Sequence, residues 1–296
     1  MAGGLKKVRD PHRRGFVLSA LCLLASRESA RGEPAADPAI RQIESRLGGR
    51  VGLSVLDTGS GRTLSWRGGE RFAMCSSFKW VLAASILQRA DQDQLRLGDT
   101  IPYTKAQLLP HSPRTEAHVK EGRMRIEDLC AAAVEESDNG AANLLLGRIG
   151  GPAGVTAFAR SVGDRTTRLD RNEPRLNDNL PGDPRDTTTP DAMVGTMKTV
   201  LLGEVLKPAS RAKLLDWLKK CDTGAQRLRA GLPKDWAEGD KTGTGARGAA
   251  VDNAVIWPPH RAPILAAAYV SDSTQPIEQL EAALADLGRL IGARFA

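Results

Sequence analysis

Four short motifs along this 296-residue chain carry hydroxyl, amine and carboxylate side chains in a fixed order. They are Ser76-Ser77-Phe78-Lys79, Ser137-Asp138-Asn139, Glu173-Pro174-Arg175-Leu176-Asn177 and Lys241-Thr242-Gly243. Together they would supply a nucleophilic hydroxyl beside an amine, a second hydroxyl that moves protons, and a carboxylate that activates water. The lysine of the last motif would hold an acidic substrate. The set therefore predicts acyl transfer through a serine.

The first motif is weak when it stands alone. We expect Ser76 to begin an apolar helix, where unpaired backbone N–H groups favour developing negative charge. Lys79 follows three residues later on the same helix face, so its amine can reach the hydroxyl. A chain of this length contains about one S-x-x-K match by chance. A second match runs from Ser210 to Lys213, after Pro208, and we interpret Ser210 as the N-cap of another helix.

The second and fourth motifs carry most of the statistical weight. Ser137-Asp138-Asn139 and Lys241-Thr242-Gly243 are each expected on the order of 0.1 times or less per chain by chance. If it stood alone, Ser137-Asp138-Asn139 would be interpreted as a turn or a helix cap. Lys241 alone would be interpreted as a surface lysine in a strand or turn. Their joint occurrence, in order, predicts one site.

The set resembles the class A serine β-lactamases, and the resemblance covers nearly the whole mature chain. The segment from Glu173 to Asn177 discriminates best, because related penicillin-binding proteins share the other three motifs but lack this carboxylate. The resemblance implies hydrolysis of penicillin- and cephalosporin-type antibiotics through a serine acyl-enzyme, which gives antibiotic resistance. The alternatives are a D-alanyl-D-alanine peptidase and a penicillin-sensing domain, both of which would be acylated without rapid turnover.

The resemblance also implies a role for each motif residue. Ser76 would attack the lactam carbonyl, and either Lys79 or Glu173 acting through a water would take its proton. Ser137 would pass a proton to the lactam nitrogen. The backbone N–H groups of Ser76 and Thr244 would form the oxyanion hole. Because a base must be neutral, we expect the neighbouring cation of the fourth motif to lower the pKa of Lys79.

Further residues would position water and substrate. Asn177 would help Glu173 to hold the deacylating water, and Asn139 would contact both Lys79 and the substrate's side-chain amide. The predicted holders of the substrate carboxylate are Lys241, Thr242, Gly243, Thr244 and Arg227.

Two of the predicted substrate contacts have plain alternatives. Arg227 matches an alternative arginine position of the family, since Ala249-Ala250 occupies the commoner one, but it could be a solvated helix-end charge like Arg229. His111 matches the position of an aromatic gate, but could be a solvated loop residue.

The resemblance implies one ion pair in the loop that carries Glu173, and it excludes two disulfides. Arg171 and Asp186 would pin the loop that carries Glu173, although they could also be unrelated loop charges. Cys75 and Cys130 match halves of two family disulfides, and both bridges are absent because their partner positions hold other residues, Gly245 and Ala83.

The hydrophobic pattern predicts a mixed α+β fold. An amphipathic helix at 37–48 precedes a hairpin at 51–66, and strands return at 250–257 and 264–271 before a closing helix at 276–291. Helical stretches fill the interval from 77 to 220. We therefore expect an antiparallel sheet flanked by the N- and C-terminal helices, with an all-α domain inserted.

The predicted boundaries place the site between two domains. Residues 33–68 and 219–296 would form the α/β domain, and residues 69–218 would form the all-α domain, with the active site in the cleft between them. The segment 172–190 is rich in Pro, Asp and Asn and is predicted to be a long functional loop.

Residues 1–32 have the pattern of an export signal. A basic stretch with Arg13-Arg14 resembles a twin-arginine signal, and an apolar run of about 10 residues is too short for a stable membrane anchor. We expect cleavage after Gly32 and a periplasmic protein. The alternative is a buried N-terminal helix. Without Cys22, three cysteines remain, so at most one disulfide is possible.

Charge and composition exclude other classes. The total charge is +7, but residues 1–32 carry seven basic against two acidic side chains, a net +5, which leaves +2 for the rest. This small excess argues against a nucleic-acid binder. No H-x-H or C-x-x-C spacing occurs, which disfavours a zinc enzyme. We expect a monomer without metal or cofactor, whose partners are small-molecule β-lactams.

Overall fold

The elements follow one another in a helix–sheet–helix–sheet–helix order. The computed structural model describes residues 37–296, and the predicted export signal lies outside this range. The strands are β1 (Arg50–Asp57), β2 (Thr63–Trp66), β3 (Phe72–Ala73), β4 (Thr100–Pro102), β5 (Arg123–Arg125), β6 (Thr187–Thr188), β7 (Ala237–Gly245), β8 (Ala249–Trp257) and β9 (Ile264–Ser271). The helices are α1 (Pro38–Leu47), α2 (Phe78–Asp91), α3 (Pro113–Ala117), α4 (Ile126–Glu135), α5 (Asn139–Arg148), α6 (Pro152–Ser161), α7 (Pro190–Met197), α8 (Pro208–Lys219), α9 (Leu228–Gly231) and α10 (Ile277–Phe295).

Five strands from the two ends of the chain form one antiparallel sheet, in the order β2-β1-β9-β8-β7. The predicted hairpin is confirmed by the β1–β2 register, in which Leu53 lies opposite Trp66. Strand β9 pairs with β1 along its whole length, from Arg50 opposite Ser271 onward. The edge strand β7 carries Lys241-Thr242-Gly243, so this motif has a strand partner on one side only.

Both faces of the sheet are buried. Along β9, Ala266 and Ala268 pack with α1 and α10, whereas Leu265, Ala267 and Tyr269 face the helical core that contains α2. This division follows the two-residue period of a strand. Because both faces are covered, β9 is a continuous apolar run without alternating polar residues. The predicted α+β fold class is confirmed.

Helix α2 is buried on all sides from Phe78 to Leu87. An amphipathic surface helix would have one polar face, whereas a helix that is apolar all round belongs in a core. Lys79 is the charged residue in this buried stretch and is fully inaccessible to solvent. Among residues 37–296, no helix combines the length and apolar character that crossing a membrane requires.

The predicted cap of α8 is wrong. The helix begins at Pro208, with Lys207 as its N-cap residue, so Ser210 lies inside the first turn. Proline suits this first position because it has no N–H group to satisfy. The Ser210 hydroxyl donates instead to Asp91 Oδ1 at 2.6 Å, and Asp91 Oδ2 also accepts from the backbone N–H of Lys207. Asp91 therefore joins the end of α2 to the start of α8.

Candidate active site

Ser76 lies in the 3₁₀ turn Cys75–Ser77, directly before α2. Its Oγ atom is 3.0 Å from Lys79 Nζ and 3.3 Å from Glu173 Oε1. The preceding residue, Cys75, has a φ of 45°, a left-handed conformation that is uncommon for a residue with a side chain. The hydroxyl is thus held between an amine and a carboxylate, either of which can take its proton.

Lys79 connects three of the motifs. Its Nζ atom donates to Ser137 O at 2.7 Å and to Asn139 Oδ1 at 2.5 Å, and it lies 3.1 Å from Glu173 Oε1. The pKa of Lys79 is lowered to about 8, mainly by burial; the Glu173 carboxylate opposes this shift, and the cation of Lys241 contributes to it. A lysine in this environment is partly neutral near physiological pH.

Ser137 and Asn139 are positioned by the start of α5. Asp138 caps this helix by accepting from Ala141 N, and Ser137, with a φ of 58°, turns its side chain toward Lys79. The Ser137 hydroxyl lies 3.4 Å from Lys79 Nζ. Asn139 Nδ2 donates to Pro110 O at 2.8 Å, which fixes the amide orientation so that its oxygen faces Lys79.

Glu173 is buried and held at both its backbone and its side chain. Asn177 Nδ2 donates to Glu173 Oε2 at 2.6 Å, as the pairing of these two residues predicts. Asn143 makes two further bonds of 3.0 Å, accepting from Glu173 N and donating to Glu173 O. Sequence reasoning missed Asn143. Its position four residues after Asn139 on α5 places it on the same helix face, and this spacing was the available signal.

Arg171 and Asp186 form the predicted pair at the base of the Glu173 loop. Arg171 Nε donates to Asp186 Oδ2 at 2.5 Å, and the other oxygen, Oδ1, accepts from the backbone N–H groups of Asp170 and Arg171. Asp186 is fully buried. Charge-assisted bonds of this kind are about twice as strong as neutral ones, so both ends of the loop are fixed together.

Lys241 lies inside the protein, so the reading of it as a surface lysine is wrong. It is fully buried on β7, and its Nζ donates to Thr242 O at 3.0 Å. Burial lowers the pKa of Lys241, while nearby acidic groups including Asp240 act in the opposite direction. The hydroxyl of Thr242 bonds to that of Thr223, a residue that no motif includes.

Gly243 allows β7 to lie directly against the nucleophile. A Cβ atom built on Gly243 would lie 2.7 Å from Met74 O, 2.9 Å from Cys75 Cβ and 3.0 Å from Ser76 N. Real Cβ atoms essentially never approach other atoms to less than 3.0 Å. Only glycine fits here, and the next residue, Thr244, is exposed beside Ser76.

Arg227 supports β7 from inside the protein. It is buried, and Nη1 donates to Gly243 O at 2.8 Å and to Val251 O at 2.7 Å, while Nη2 donates to Thr244 Oγ1 at 2.6 Å. Its interpretation as a solvated helix-end charge is therefore wrong. The guanidinium adds positive charge behind the strand and orients the Thr244 hydroxyl.

His111 lies at the rim of the site. Its ring is exposed, its φ is 59°, and Nε2 is 2.9 Å from Glu136 O. Its backbone carbonyl accepts from Asn139 N at 2.9 Å. The structure therefore brings His111 next to the second motif, with its ring hydrogen-bonded to the protein rather than only to solvent.

The three cysteines in the described range, Cys75, Cys130 and Cys221, are free and buried. Burial raises the pKa of Cys75 to about 12, so its thiol stays protonated although it adjoins Ser76. A Cβ atom on Gly245 would lie 2.7 Å from Cys75 Sγ, at the position where a bridging partner would have to stand. These thiols are packing groups.

Comparisons with known proteins agree with this geometry. The model of the beta-lactamase enzyme family matches residues 35–295. The chain is 48% identical over 250 residues to the carbapenem-hydrolysing beta-lactamase KPC of Klebsiella oxytoca, which covers 84% of this chain and 85% of that protein. It is 41% identical over 276 residues to the imipenem-hydrolysing beta-lactamase of Enterobacter cloacae, covering 93% of this chain and 94% of that one.

A solved structure shows the same similarity in three dimensions. The class A beta-lactamase reconstructed for the last common ancestor of Gram-negative bacteria is 55% identical, with a TM-score of 0.85. The match covers 87% of this chain and 98% of the ancestral chain.

Proposed function

Because this chain belongs to the class A serine β-lactamases and hydrolyses β-lactam antibiotics, we propose that Ser76 is its nucleophile and that Glu173 activates the deacylating water. The observation that carries this assignment is the placement of Ser76 Oγ within 3.3 Å of both Lys79 Nζ and Glu173 Oε1. The product is the ring-opened antibiotic, so the activity gives resistance.

Acylation begins with attack of Ser76 on the lactam carbonyl. The proton passes either to Lys79 directly or to Glu173 through a water, and both routes stay open because both groups contact the hydroxyl. Ser137, hydrogen-bonded to Lys79, then passes a proton to the lactam nitrogen as the ring opens. The backbone N–H groups of Ser76 and Thr244 stabilise the oxyanion, which the close approach of β7 to Ser76 supports.

Substrate binding uses the two sides of the cleft. Lys241, Thr242, Gly243 and Thr244 hold the carboxylate, and Arg227 acts from behind the strand through Thr244. Asn139 and His111 line the opposite side, where Asn139 binds the side-chain amide of the substrate. Burial of the cationic groups strengthens their attraction for a carboxylate, since little water screens them.

Deacylation depends on Glu173 and Asn177. Their hydrogen bond of 2.6 Å orients one carboxylate oxygen, and the other faces Ser76. A water held by both residues would lie beside the ester carbon, so the carboxylate could remove its proton during attack.

A Glu173→Gln variant tests the assignment. We expect hydrolysis of a chromogenic cephalosporin to fall by about 10²- to 10⁴-fold, because the amide removes the general base while retaining the shape. Mass spectrometry should then show an acyl-enzyme on Ser76, which a Ser76→Ala control cannot form. A stable adduct on the parent protein, with no turnover, would instead support a penicillin-binding protein or a sensor.

The organisation of the full chain is also part of this proposal. We assign residues 1–32 to an export signal read by the twin-arginine route, and the mature protein to the periplasm as a monomer without a membrane anchor. Residues 33–68 and 219–296 would form one domain and residues 69–218 the other. Replacing Arg13 and Arg14 by lysine should retain the precursor in the cytoplasm, and the mass of the exported form gives the cleavage point.

A further inference from the structure

Asp252 is a carboxyl residue in the middle of β8, and the proposed reaction does not use it. Most of this strand is apolar, and the Asp252 side chain is fully inaccessible to solvent. Burying a polar group costs free energy unless a hydrogen bond compensates for the lost water. Asp252 Oδ2 accepts from the backbone N–H of Leu228 at 3.1 Å, while Oδ1 has no partner within residues 37–296. This single bond joins β8 to the start of α9.

The residue directly before Leu228 is Arg227, whose guanidinium supports β7 through two backbone carbonyls and the Thr244 hydroxyl. Its Nε atom also lies 3.4 Å from Glu281 Oε1 on α10. The N–H of Leu228 belongs to the planar peptide unit that contains the Arg227 carbonyl. Fixing this N–H therefore fixes the backbone from which the arginine side chain extends.

Helix α9 depends on its neighbours for its position. It has only four residues, too few for a helix to be stable through its own hydrogen bonds. The side chain of Arg229 pairs with two buried carboxyl groups of β7. A Cβ atom built on Gly288 of α10 would lie 2.2 Å from Leu228 O, so α10 packs directly against this turn. Among these contacts, Asp252 supplies the hydrogen bond to the peptide unit next to Arg227.

We propose that Asp252 is a positioning residue for recognition of the substrate carboxylate, because its bond to Leu228 N sets the place of the Arg227 guanidinium behind Thr244. The inference rests on the proposed function, in which Arg227 and Thr244 serve that carboxylate. A substrate whose carboxylate is masked as an ester has no negative charge for the guanidinium to attract. Asp252 thus contributes to the discrimination between the free acid and its ester.

This role requires an acceptor atom at Asp252 rather than a negative charge. Burial raises the pKa of Asp252 well above its ordinary value, and nearby Asp240 and Glu238 raise it as well, while Arg227 acts in the opposite direction. The neutral carboxyl is therefore favoured, and its carbonyl oxygen still accepts. Asparagine has the same shape and retains that oxygen. Asp252→Asn should therefore retain the function, whereas Asp252→Ala should not.

The selectivity between acid and ester measures this role. For each protein, kcat and KM are determined with benzylpenicillin and with its methyl ester. We expect the ratio of kcat/KM for the acid to that for the ester to fall about fivefold in Asp252→Ala, the scale of one net hydrogen bond. The fall should come mainly from a higher KM for the acid. Asp252→Val, which also lacks an acceptor but fills the site and suits a strand, should behave like alanine.

Asparagine should restore most of the ratio. An unchanged ratio in the alanine and valine variants, or an equal loss in Asp252→Asn, would overturn the proposal. Asp57→Ala is the matched control, since Asp57 is another buried carboxylate of the same sheet and accepts from Gly59 N at the hairpin. Its ratio should equal that of the parent. A similar fall in this control would assign the effect to lost stability and would also overturn the proposal.

A double-mutant cycle tests whether Asp252 acts through Arg227. The substitution Arg227→Ala removes the guanidinium, so adding Asp252→Ala to it should not lower the ratio further. Additive losses would show that Asp252 acts by another route and would contradict the proposal.

Binding without turnover provides a second readout. In a Ser76→Ala background, calorimetry measures the Kd of benzylpenicillin, which Asp252→Ala should raise about fivefold and Asp252→Asn should not. An equal Kd with and without the alanine substitution would overturn the proposal. This measurement depends on neither acylation nor Glu173. If the parent is acylated by benzylpenicillin but does not turn over, the proposed function fails separately, and the acid-to-ester ratio of acylation rate constants still tests Asp252.

Discussion

The chemistry of Lys79 depends on where its amine lies. In water a lysine is almost fully charged at pH 7, but burial lowers the pKa of Lys79 to about 8. At pH 7 roughly one molecule in ten would then carry the neutral amine. Glu173 opposes the shift because its negative charge, 3.1 Å away, stabilises the cation. The same carboxylate therefore influences both proposed steps, acylation through Lys79 and deacylation through water.

The pH dependence of acylation should reveal this coupling. If neutral Lys79 is the base, the acylation rate constant rises with pH and levels off above about 8 in the parent. In Glu173→Gln the stabilising charge is gone, so the pKa of Lys79 falls and the inflection moves to lower pH. Stopped-flow acylation across pH 5 to 10 measures both profiles. An inflection at the same pH in both proteins would contradict the coupling.

Replacing Gly243 should damage the site without unfolding the protein. The new Cβ atom of Gly243→Ala would meet Met74 O and Ser76 N at 3.0 Å or less, so β7 and the nucleophile must separate. Misplacement by about 1 Å can cost about 10²-fold in rate, and we expect kcat/KM to fall by about that factor. Gly147→Ala in α5, where a Cβ atom meets nothing within 4 Å, is the control and should retain full activity.

The start of α5 shows how a local rule and a tertiary contact combine in one element. Asp138 Oδ1 accepts from Ala141 N as an ordinary helix cap, but Oδ2 accepts from Thr115 N on α3 at 2.8 Å. The carboxylate is fully buried. It therefore fixes the start of α5, and with it Ser137 and Asn139, against a second helix.

Removing the Asp138 carboxylate should lower the stability of the protein more than removing an ordinary helix cap does. We expect Asp138→Ala to lower the free energy of unfolding by about 2–4 kcal/mol, since the loss of a cap adds to the burial of the unsatisfied Thr115 N–H. Thr189→Ala at the start of α7, where the hydroxyl caps only Ala192 N, should cost about 1 kcal/mol. Urea unfolding measures both, and equal costs would show that the contact with Thr115 adds nothing.

The molecule contains a cluster of three buried carboxyl groups. Glu238, Asp240 and Asp252 are all buried near β7 and β8, and one oxygen of each lacks a hydrogen-bond partner within the described residues. Arg229 pairs with Glu238 and Asp240. The pKa of Glu238 is raised to about 8, mainly by burial and in part by the negative charge of neighbouring Asp240. Burial also raises the pKa of Asp240 and Asp252.

These carboxyls should make the protein most stable in mild acid. A raised pKa means that the folded state binds more protons than the unfolded state, so the free energy of unfolding falls as pH rises from about 4.5 to 8. Below about pH 4 stability falls again, because ion pairs such as Asp183 with Arg185, which lowers the pKa of Asp183 to about 2, are lost. We therefore expect a maximum near pH 5.

Urea unfolding between pH 3 and 9 checks this expectation, with Glu238→Gln as the comparison. The glutamine cannot ionise, so the decline between pH 5 and 8 should be shallower than in the parent. A variant with the same slope would show that Glu238 does not retain its proton in the folded state.

The sequence by itself predicted the chemistry and the order of elements. The motifs predicted Ser76, Lys79, Ser137 and Glu173 as catalytic residues, because the proposed reaction needs these side-chain types and each motif carries them at short spacing. Two-residue and 3.6-residue periods located the hairpin, the helical interval and the last two large strands, because local periodicity reports which face of an element is buried.

Only the tertiary structure decided which residues support that chemistry. Thr223 bonds to Thr242, a partner distant along the chain, and no local spacing marks it. Asn143 follows Asn139 by four residues, but only its two bonds to Glu173 show its role. Burial of Lys241 and Arg227 likewise depends on segments folded over β7. The lowered pKa of Lys241 and the hydrogen bonds of Arg227 are set by neighbouring residues. These neighbours come together only when both ends of the chain join in one sheet.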